Sequence, residues 1–452
     1  MKKFILYSFV LILSSKVYAS PSELSLEDCI HIGIENATTV LKSKNAVELS
    51  GAEVLQSYAQ FLPNLQASTG YDYSRGRTLY TVPTPTTVNS RNFGPNYQLS
   101  SSINIFNGYS DYATMKAALS KKTANALTLE RAKEQIAVDI TQAFLQVNLD
   151  EELVTITREN LRVSQERQTL LTEQTRVGIK DLSDLYRQQA QTSSDEATFI
   201  TSENKLRDDK IQLIKRLRLD TSKDYSFQKS PMDYKNTALE KTSEQLLIDK
   251  ALKQRTDFQA SQENANAAIW NVSSTQSSYY PKLDFNTSLT STGRLINRQF
   301  YGGNDVTPSH QTALWTQIGE NVVWDVGLSL TWKIFDREVT RYTVAQAATN
   351  KANALIDLED QRLQVISDVR QAIGDLSAAR RRLEASEKGI QAAEKAYETV
   401  LGRYQVGASS FLDLISAQSV LVDARSAKAQ AQMDVLLQDR VLGNAVGVPT
   451  SI

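Results

Sequence analysis

The chain holds a single cysteine, Cys29, among its 452 residues, so no disulfide can form within it. It has two histidines, His31 and His310, far apart and without a cysteine partner, which leaves no His/Cys metal site to expect. Neither sign of charge is in excess. Fifty Lys and Arg stand against 51 Asp and Glu, where a nucleic-acid-binding chain carries a basic surplus. Gly-rich phosphate loops, nucleophile elbows and metal-ligand spacings are missing, and the carboxylates are scattered along solvated helix faces. The expectation is a protein that is not an enzyme, with no cofactor and no nucleic-acid partner. Beyond the N-terminus no run of 18 apolar residues occurs, which excludes a membrane-spanning helix but not a closed β-barrel.

The N-terminus reads MKKFILYSFVLILSSKVYAS: two lysines, an apolar run from Phe4 to Leu13, and small residues around Ala19. This predicts a secretory signal peptide over 1–19, with Ser20 as the first mature residue. Cys29 is not a lipidation site on this reading. Glu27 and Asp28 stand where small residues would be needed, so Cys29 is expected as a small core residue near a helix start.

Proline is scarce, and its nine positions divide the chain. Intervals 96–230 and 309–448 contain none. From Tyr109 to Val177 there is neither Gly nor Pro, and helix formers dominate. A helix over 109–177 would be about 105 Å long. A matching helix is expected over 337–406, with a seven-residue row of Val369, Leu376, Leu383, Ile390, Tyr397 and Tyr404. Ile366, Ile373 and Leu401 suggest a second, interrupted row. Shorter helices are expected over 23–60, 181–218, 243–278 and 410–446, with a linker over 219–242. Two short helices end to end equal one long helix, which suggests a layer one helix thick.

Four segments alternate apolar and polar residues as strands do: 65–73, 96–106, 282–291 and 322–335. One greasy face and one polar face fit a membrane strand, and fit a sandwich strand equally well. The export signal and the aromatic residues at the strand ends (Tyr279, Tyr280, Trp315, Phe335) favour the membrane. Segments 74–95 and 292–321, rich in Thr, Asn, Gly and Pro, are expected as loops.

The chain is an internal repeat, 20–230 and 243–452. FLPNL at 61–65 answers YYPKL at 279–283, and IFNGY at 105–109 answers IFDRE at 334–338. Val177-Gly178 and Val406-Gly407 close the two long helices at the same 229-residue offset. Each glycine suits a left-handed helix cap. Ser410 with Asp413 then spells a capping box, and Asp181 with Asp184 a variant of it. Four strands cannot close a membrane barrel, and an open sheet in lipid would leave two unpaired edges. Copies of the chain are therefore expected to share a ring. Two copies give eight strands and three give twelve, and a useful lumen favours three or more.

This two-copy layout, the FLPNL/YYPKL and IFNG/IFDR pairs and the paired Val-Gly turns resemble the TolC-type outer membrane efflux family over essentially the whole mature chain. The resemblance implies an α+β membrane protein: a homotrimer with a 12-stranded β-barrel in the outer membrane, four strands per protomer, continuous with a periplasmic α-helical tunnel closed at its far tip. It implies a periplasmic adaptor, an inner-membrane pump and outer membrane lipid as partners, and an exit-channel function in efflux or type I secretion. It also implies a tip gate. Three copies of Asp413 would form an acidic entrance ring, which favours cations and raises some of the carboxyl pKa values. Tyr404 would pair with Asp184 in a closed-state lock. Ser409 and Ser416 replace an Arg and an Asp of the family pattern, and Lys180 is a candidate substitute. The alternative is an exported trimeric coiled-coil scaffold or adhesin, which would explain the heptads but not two hairpins with lipid-like faces.

Overall fold

The computed structural model describes residues 23–80, 86–223, 225–229, 242–301 and 304–448. The expected signal segment and residues 230–241 of the expected linker lie outside the described residues. In chain order the elements begin with β1 (Glu23–Leu24), α1 (Leu26–Asn36), α2 (Thr38–Ala59), β2 (Gln66–Tyr80) and β3 (Thr86–Phe106). The long helix α3 (Ser110–Arg176), α4 (Leu182–Arg216) and β4 (Ser226–Phe227) complete the first repeat. The second runs through α5 (Glu244–Gln254), α6 (Thr256–Gln276), β5 (Lys282–Thr292), β6 (Leu295–Tyr301), β7 (Asn304–Asp305), α7 (Leu314–Glu320), β8 (Val322–Thr331), α8 (Val339–Gln405) and α9 (Phe411–Val446).

The two long helices are each 67 residues, and their starts and ends keep the 229-residue offset. The shorter helices need correction. One helix over 23–60 is two, broken at Ala37 (φ −59°, ψ 131°). One helix over 243–278 is two, broken at Arg255 (φ −64°, ψ 122°) and followed by a 3-10 turn at Ser277–Tyr279. Neither break carries Pro or Gly. Tertiary contacts hold the second: Arg255 is 2% exposed, and its Nη1 meets Asp368 Oδ2 at 2.7 Å.

The expected loops are also corrected. The β2–β3 ladder pairs without interruption from Gln66 with Ser100 to Tyr80 with Thr86, so most of 74–95 is hairpin. Segment 292–321 contains β6, β7 and α7, and the last strand ends at Thr331 rather than 335.

By its contacts the chain divides into two compact units, 1–43 with 129–256 and 363–452, and 44–128 with 257–362. The division cuts across the repeats, since each repeat contributes to both units. In the first unit, α1, α3, α4, β1 and β4 enclose a core of Leu24, Ile30, Ile140, Phe144, Leu213 and Phe227. Cys29 is fully buried there, and burial pushes its thiol up to about 12. Gly33 allows α1 to approach α3: a Cβ on it would fall 1.8 Å from Ile140 Cδ1. Along α8 the buried seam is Val365, Val369, Ala372, Leu376, Ala379 and Leu383, alternating steps of four and three. The second row therefore runs through Val365, Ala372 and Ala379, not through the half-buried Ile366, Ile373 and Leu401. Small alanines let α9 come close, and Ala431 and Val435 pack on Ala379 and Leu383.

The second unit holds the sheet. β3 is its spine, paired with β2 along one edge and with β5 and then β6 along the other; β8 pairs β5. The registers place like with like. Ala67, Leu99, Leu289 and Trp324 form one row, and Ile103, Phe285 and Leu328 another. Gln66, Ser100, Ser288 and Asp325 form a row on the opposite face. Period-two alternation thus becomes one apolar and one polar face over four strands. The apolar face is uncovered, with Trp324, Val326, Leu328 and Leu330 all exposed.

At each junction of sheet and long helix, two successive residues are left-handed: Gly108 and Tyr109 (φ 68° and 65°), and Arg337 and Glu338 (φ 59° and 65°). The pairs are 229 residues apart, so the repeat extends to backbone conformation that L-residues rarely adopt. Asp336 then caps α8, accepting from Thr340 N at 2.8 Å and Thr340 Oγ1 at 2.5 Å. Among the described residues no helix is long and apolar enough to cross a membrane.

Candidate gate at the hairpin tip

The turns that end α3 and α8 have the same construction. Gly178 and Gly407 are left-handed (φ 78° and 75°). Gly178 N donates to Thr175 O at 3.0 Å and Ile179 N to Gln174 O at 2.8 Å. Gly407 N donates to Tyr404 O at 3.1 Å and Ala408 N to Arg403 O at 2.7 Å. Both are Schellman caps, which satisfy carbonyls that the helix end would orphan.

The following helices start differently. Ser410 and Asp413 form a reciprocal capping box: Asp413 N donates to Ser410 Oγ at 3.2 Å, and Ser410 N to Asp413 Oδ2 at 3.0 Å. The hydroxyls of Ser410 and Ser409 also donate to Oδ2, at 2.7 and 3.0 Å. The Ser410 hydroxyl, then its backbone, then the Ser409 hydroxyl hold the Asp413 carboxyl below the usual carboxylate range. Ser409 therefore supports the acidic residue by a hydrogen bond. In the first turn Asp181 accepts from Ser183 N at 2.9 Å, and Asp184 does not complete a box. The expected variant capping box at Asp181 and Asp184 is thus a simple N-cap, because the shorter Asx geometry already uses the Asp181 carboxylate.

A small apolar cluster joins the two turns: Leu171 at the end of α3, Leu185 in α4 and Phe411 in α9, flanked by Tyr404 and Ile415. The Tyr404 and Phe411 rings lie 5.8 Å apart at 51°. Lys180 Nζ stands 4.3 Å from the centre of the Tyr404 ring, a cation–π contact between the two turns. The Tyr404 hydroxyl is buried and has no hydrogen-bond partner among the described residues. The expected pairing of Tyr404 with Asp184 is not formed within one chain. Lys180 reaches Tyr404 instead, through the ring face.

Sequence reasoning missed the polar contacts deeper in the bundle. Arg167 of α3 donates through Nη1 to Gln418 Oε1 of α9, and through Nη2 to Tyr397 Oη of α8 at 3.2 Å. Gln418 Nε2 returns to Asn160 Oδ1 of α3 at 2.6 Å. One network thus ties α3, α8 and α9 together. Its available signal was Asn160 and Arg167, seven residues apart on one face of α3. Between α3 and α4, fully buried Gln188 donates to Ser164 O and Oγ at 3.1 and 2.8 Å. Among the described residues no group of three or more metal-ligating side chains occurs.

A family model described as outer membrane efflux protein matches residues 30–217 and 247–448. The outer membrane protein TolC of Vibrio cholerae is 24% identical over 442 residues, covering 96% of this chain and 92% of that protein. The solved structure of the outer membrane protein VceC from Vibrio cholerae superposes with a TM-score of 0.78 at 17% identity, covering 93% of this chain and 96% of that one. The CmeC outer membrane channel of Campylobacter jejuni gives a TM-score of 0.74 at 17% identity, covering 94% and 86%.

Proposed function

The chain belongs to the outer membrane efflux protein family, and from that membership we propose that it is the outer membrane exit channel of a tripartite efflux or type I secretion system. Three copies close their sheets into one 12-stranded barrel in the outer membrane. Their helices form a periplasmic tunnel, which receives substrate from an inner-membrane pump through a periplasmic adaptor.

One observation carries this reading. The β2–β3–β5–β8 sheet has an apolar face open over all four strands, and among the described residues β2 and β8 each pair on one side only. In water such a face and two such edges would aggregate. In lipid the face is solvated, but the edges must be paired. Joining β8 of one copy to β2 of the next satisfies both. Two copies would make eight strands, whose interior side chains fill; three make twelve, which leaves a lumen. The polar face, with Gln66, Ser100, Ser288 and Asp325, then lines water.

At the tip, three copies of Asp413 would surround the axis as an acidic ring that admits cations and repels anions. Within each copy the hydroxyls of Ser409 and Ser410 donate to the carboxylate and favour its ionised form, which opposes the mutual repulsion of the ring. Opening the tip would separate α8 and α9 from α3, and so break the Arg167–Gln418 network and the Lys180–Tyr404 contact. Mass measurement of the detergent-extracted protein, paired with current recording in planar bilayers, tests the reading. A trimer that conducts is expected; a monomer or dimer, or a trimer released from membranes without detergent, refutes it.

A further inference from the structure

The registers beyond the apolar band bring three arginines into one row. Arg75 of β2 is the cross-strand partner of Arg91 of β3, and Arg91 is the partner of Arg298 of β6. Cross-strand partners project from the same face with Cα atoms about 5 Å apart, so the row spans about 10 Å. The adjacent row on that face is Tyr73, Phe93 and Leu295. On the far side Arg77 faces Asn89. The face therefore changes from aromatic and apolar to cationic within one pleat, about 7 Å.

Directly opposed like charges weaken a strand pair. Arg75 and Arg91 form no ion pair or side-chain hydrogen bond with the described residues that would offset this, and Arg298 has only the attraction of one carboxylate, Asp305. Asp305 of β7 lies near Arg298, but its Oδ1 already accepts from Thr307 N at 2.9 Å and Thr307 Oγ1 at 2.5 Å. The opposite face of these strands is closed, with Ser90, Asn92 and Gln299 buried, while Arg75 and Arg298 are exposed and Arg91 half-buried. The cationic row thus faces the surroundings of the sheet.

Its level follows from the strand. Phe93 and Ile103 span the regularly paired part of the apolar stretch of β3, ten residues apart on the same face, and exposed Ile105 continues it past a bulge. That is about 33 Å along the strand and about 25 Å of height at a tilt of about 40°, which matches the apolar band of a membrane barrel. The arginine row begins where that band ends, at headgroup level, on the side away from the long helices.

We propose that Arg75, Arg91 and Arg298 bind the phosphate groups of an anionic lipid in the exterior leaflet of the outer membrane. Guanidinium forks match phosphate oxygens two at a time. A row of three suits a headgroup with two phosphates, while the acyl chains lie along Tyr73, Phe93 and Leu295. That apolar continuation selects a lipid over a free anion. The proposal rests on the barrel reading above, which sets the sheet in lipid and this end outward.

The test uses the full-length protein in phosphatidylcholine nanodiscs. These are titrated with an acylated glucosamine disaccharide that carries two phosphates, or with its dephosphorylated form, and bound lipid is counted by native mass spectrometry. The wild type should prefer the phosphorylated lipid about a hundredfold. R75Q/R91Q/R298Q should lose that preference, R75K/R91K/R298K should keep most of it, and inorganic phosphate should not compete. Equal retention by wild type and the Gln variant overturns the proposal, as does competition by inorganic phosphate. Dissociation of the Gln variant into monomers would give the arginines a protein partner and also overturn it. A wild type that stays out of the nanodiscs would sink the barrel reading and this proposal together; a wild type that inserts but ignores the phosphates sinks this proposal alone.

Discussion

Replacing Arg167 with Ala should loosen the closed tip. Arg167 is half-buried and makes two hydrogen bonds from a cationic donor, to Gln418 and to Tyr397. Hydrogen bonds to charged groups are worth about 1.5–3 kcal/mol each, and half-exposure argues for the low end, so the pair contributes about 2–3 kcal/mol per protomer. Gln418 would keep its bond to Asn160 and turn its freed oxygen to water, so no further penalty for an orphaned buried group is expected. Three protomers that open together would lose about 6–9 kcal/mol of closed-state preference, several decades in the opening equilibrium. The assay is single-channel current in planar bilayers, with permeation of a bulky antibiotic into cells as a second readout. Arg167→Ala should conduct more and admit more, Gln418→Ala should follow it, and Tyr397→Phe should show a smaller effect. Lower thermal stability with unchanged conductance and permeation would mean that the network only holds the bundle together, and the gating argument would fail.

Four further outcomes are expected. Asp413→Ala should raise conductance or abolish block by divalent cations; unchanged current and block would leave the carboxylate as a cap alone. Because its folded pKa is depressed, that cap stabilises the tip above the carboxyl's unfolded value and is lost as pH falls through the lower folded value. Amide protection at the start of α9, measured against the intrinsic exchange rate at each pH, should therefore stay high at neutral pH and fall only in acid. Tyr404→Phe should leave tip stability unchanged or slightly higher, since it removes a buried hydroxyl without a partner among the described residues, so a loosened tip in the assembled channel would reveal a partner on a neighbouring copy. Gly407→Ala should cost about 1–2 kcal/mol through its left-handed backbone alone, because no atom lies within 4 Å of the added Cβ; a neutral change in thermal midpoint would contradict this. Cys29, buried and with its thiol pushed up to about 12, should resist maleimide until the protein is denatured, and rapid labelling of the folded chain would place it elsewhere.

Much of this protein was legible in its residue order because the signals are local. The long helices follow from proline-free, glycine-poor stretches, and their caps from Gly178 and Gly407, where the left-handed backbone is a property of the residue itself. Alternation along each strand is local too, and a 229-residue offset needs only a comparison of the chain with itself. Tertiary structure decided what depends on partners distant in sequence. The breaks at Ala37 and Arg255 carry no Pro or Gly, and at the second the buried Arg255 side chain pairs with half-buried Asp368, more than a hundred residues away. The seam of α8 runs through Ala372 and Ala379, the latter packed on Ala431 and Val435 of α9, although isoleucines nearby look more like core. Which residue meets Tyr404, how Arg167 reaches Gln418, and which three arginines share a row are facts of register and packing. Periodicity chooses the face of an element, but only the opposing element chooses the contact.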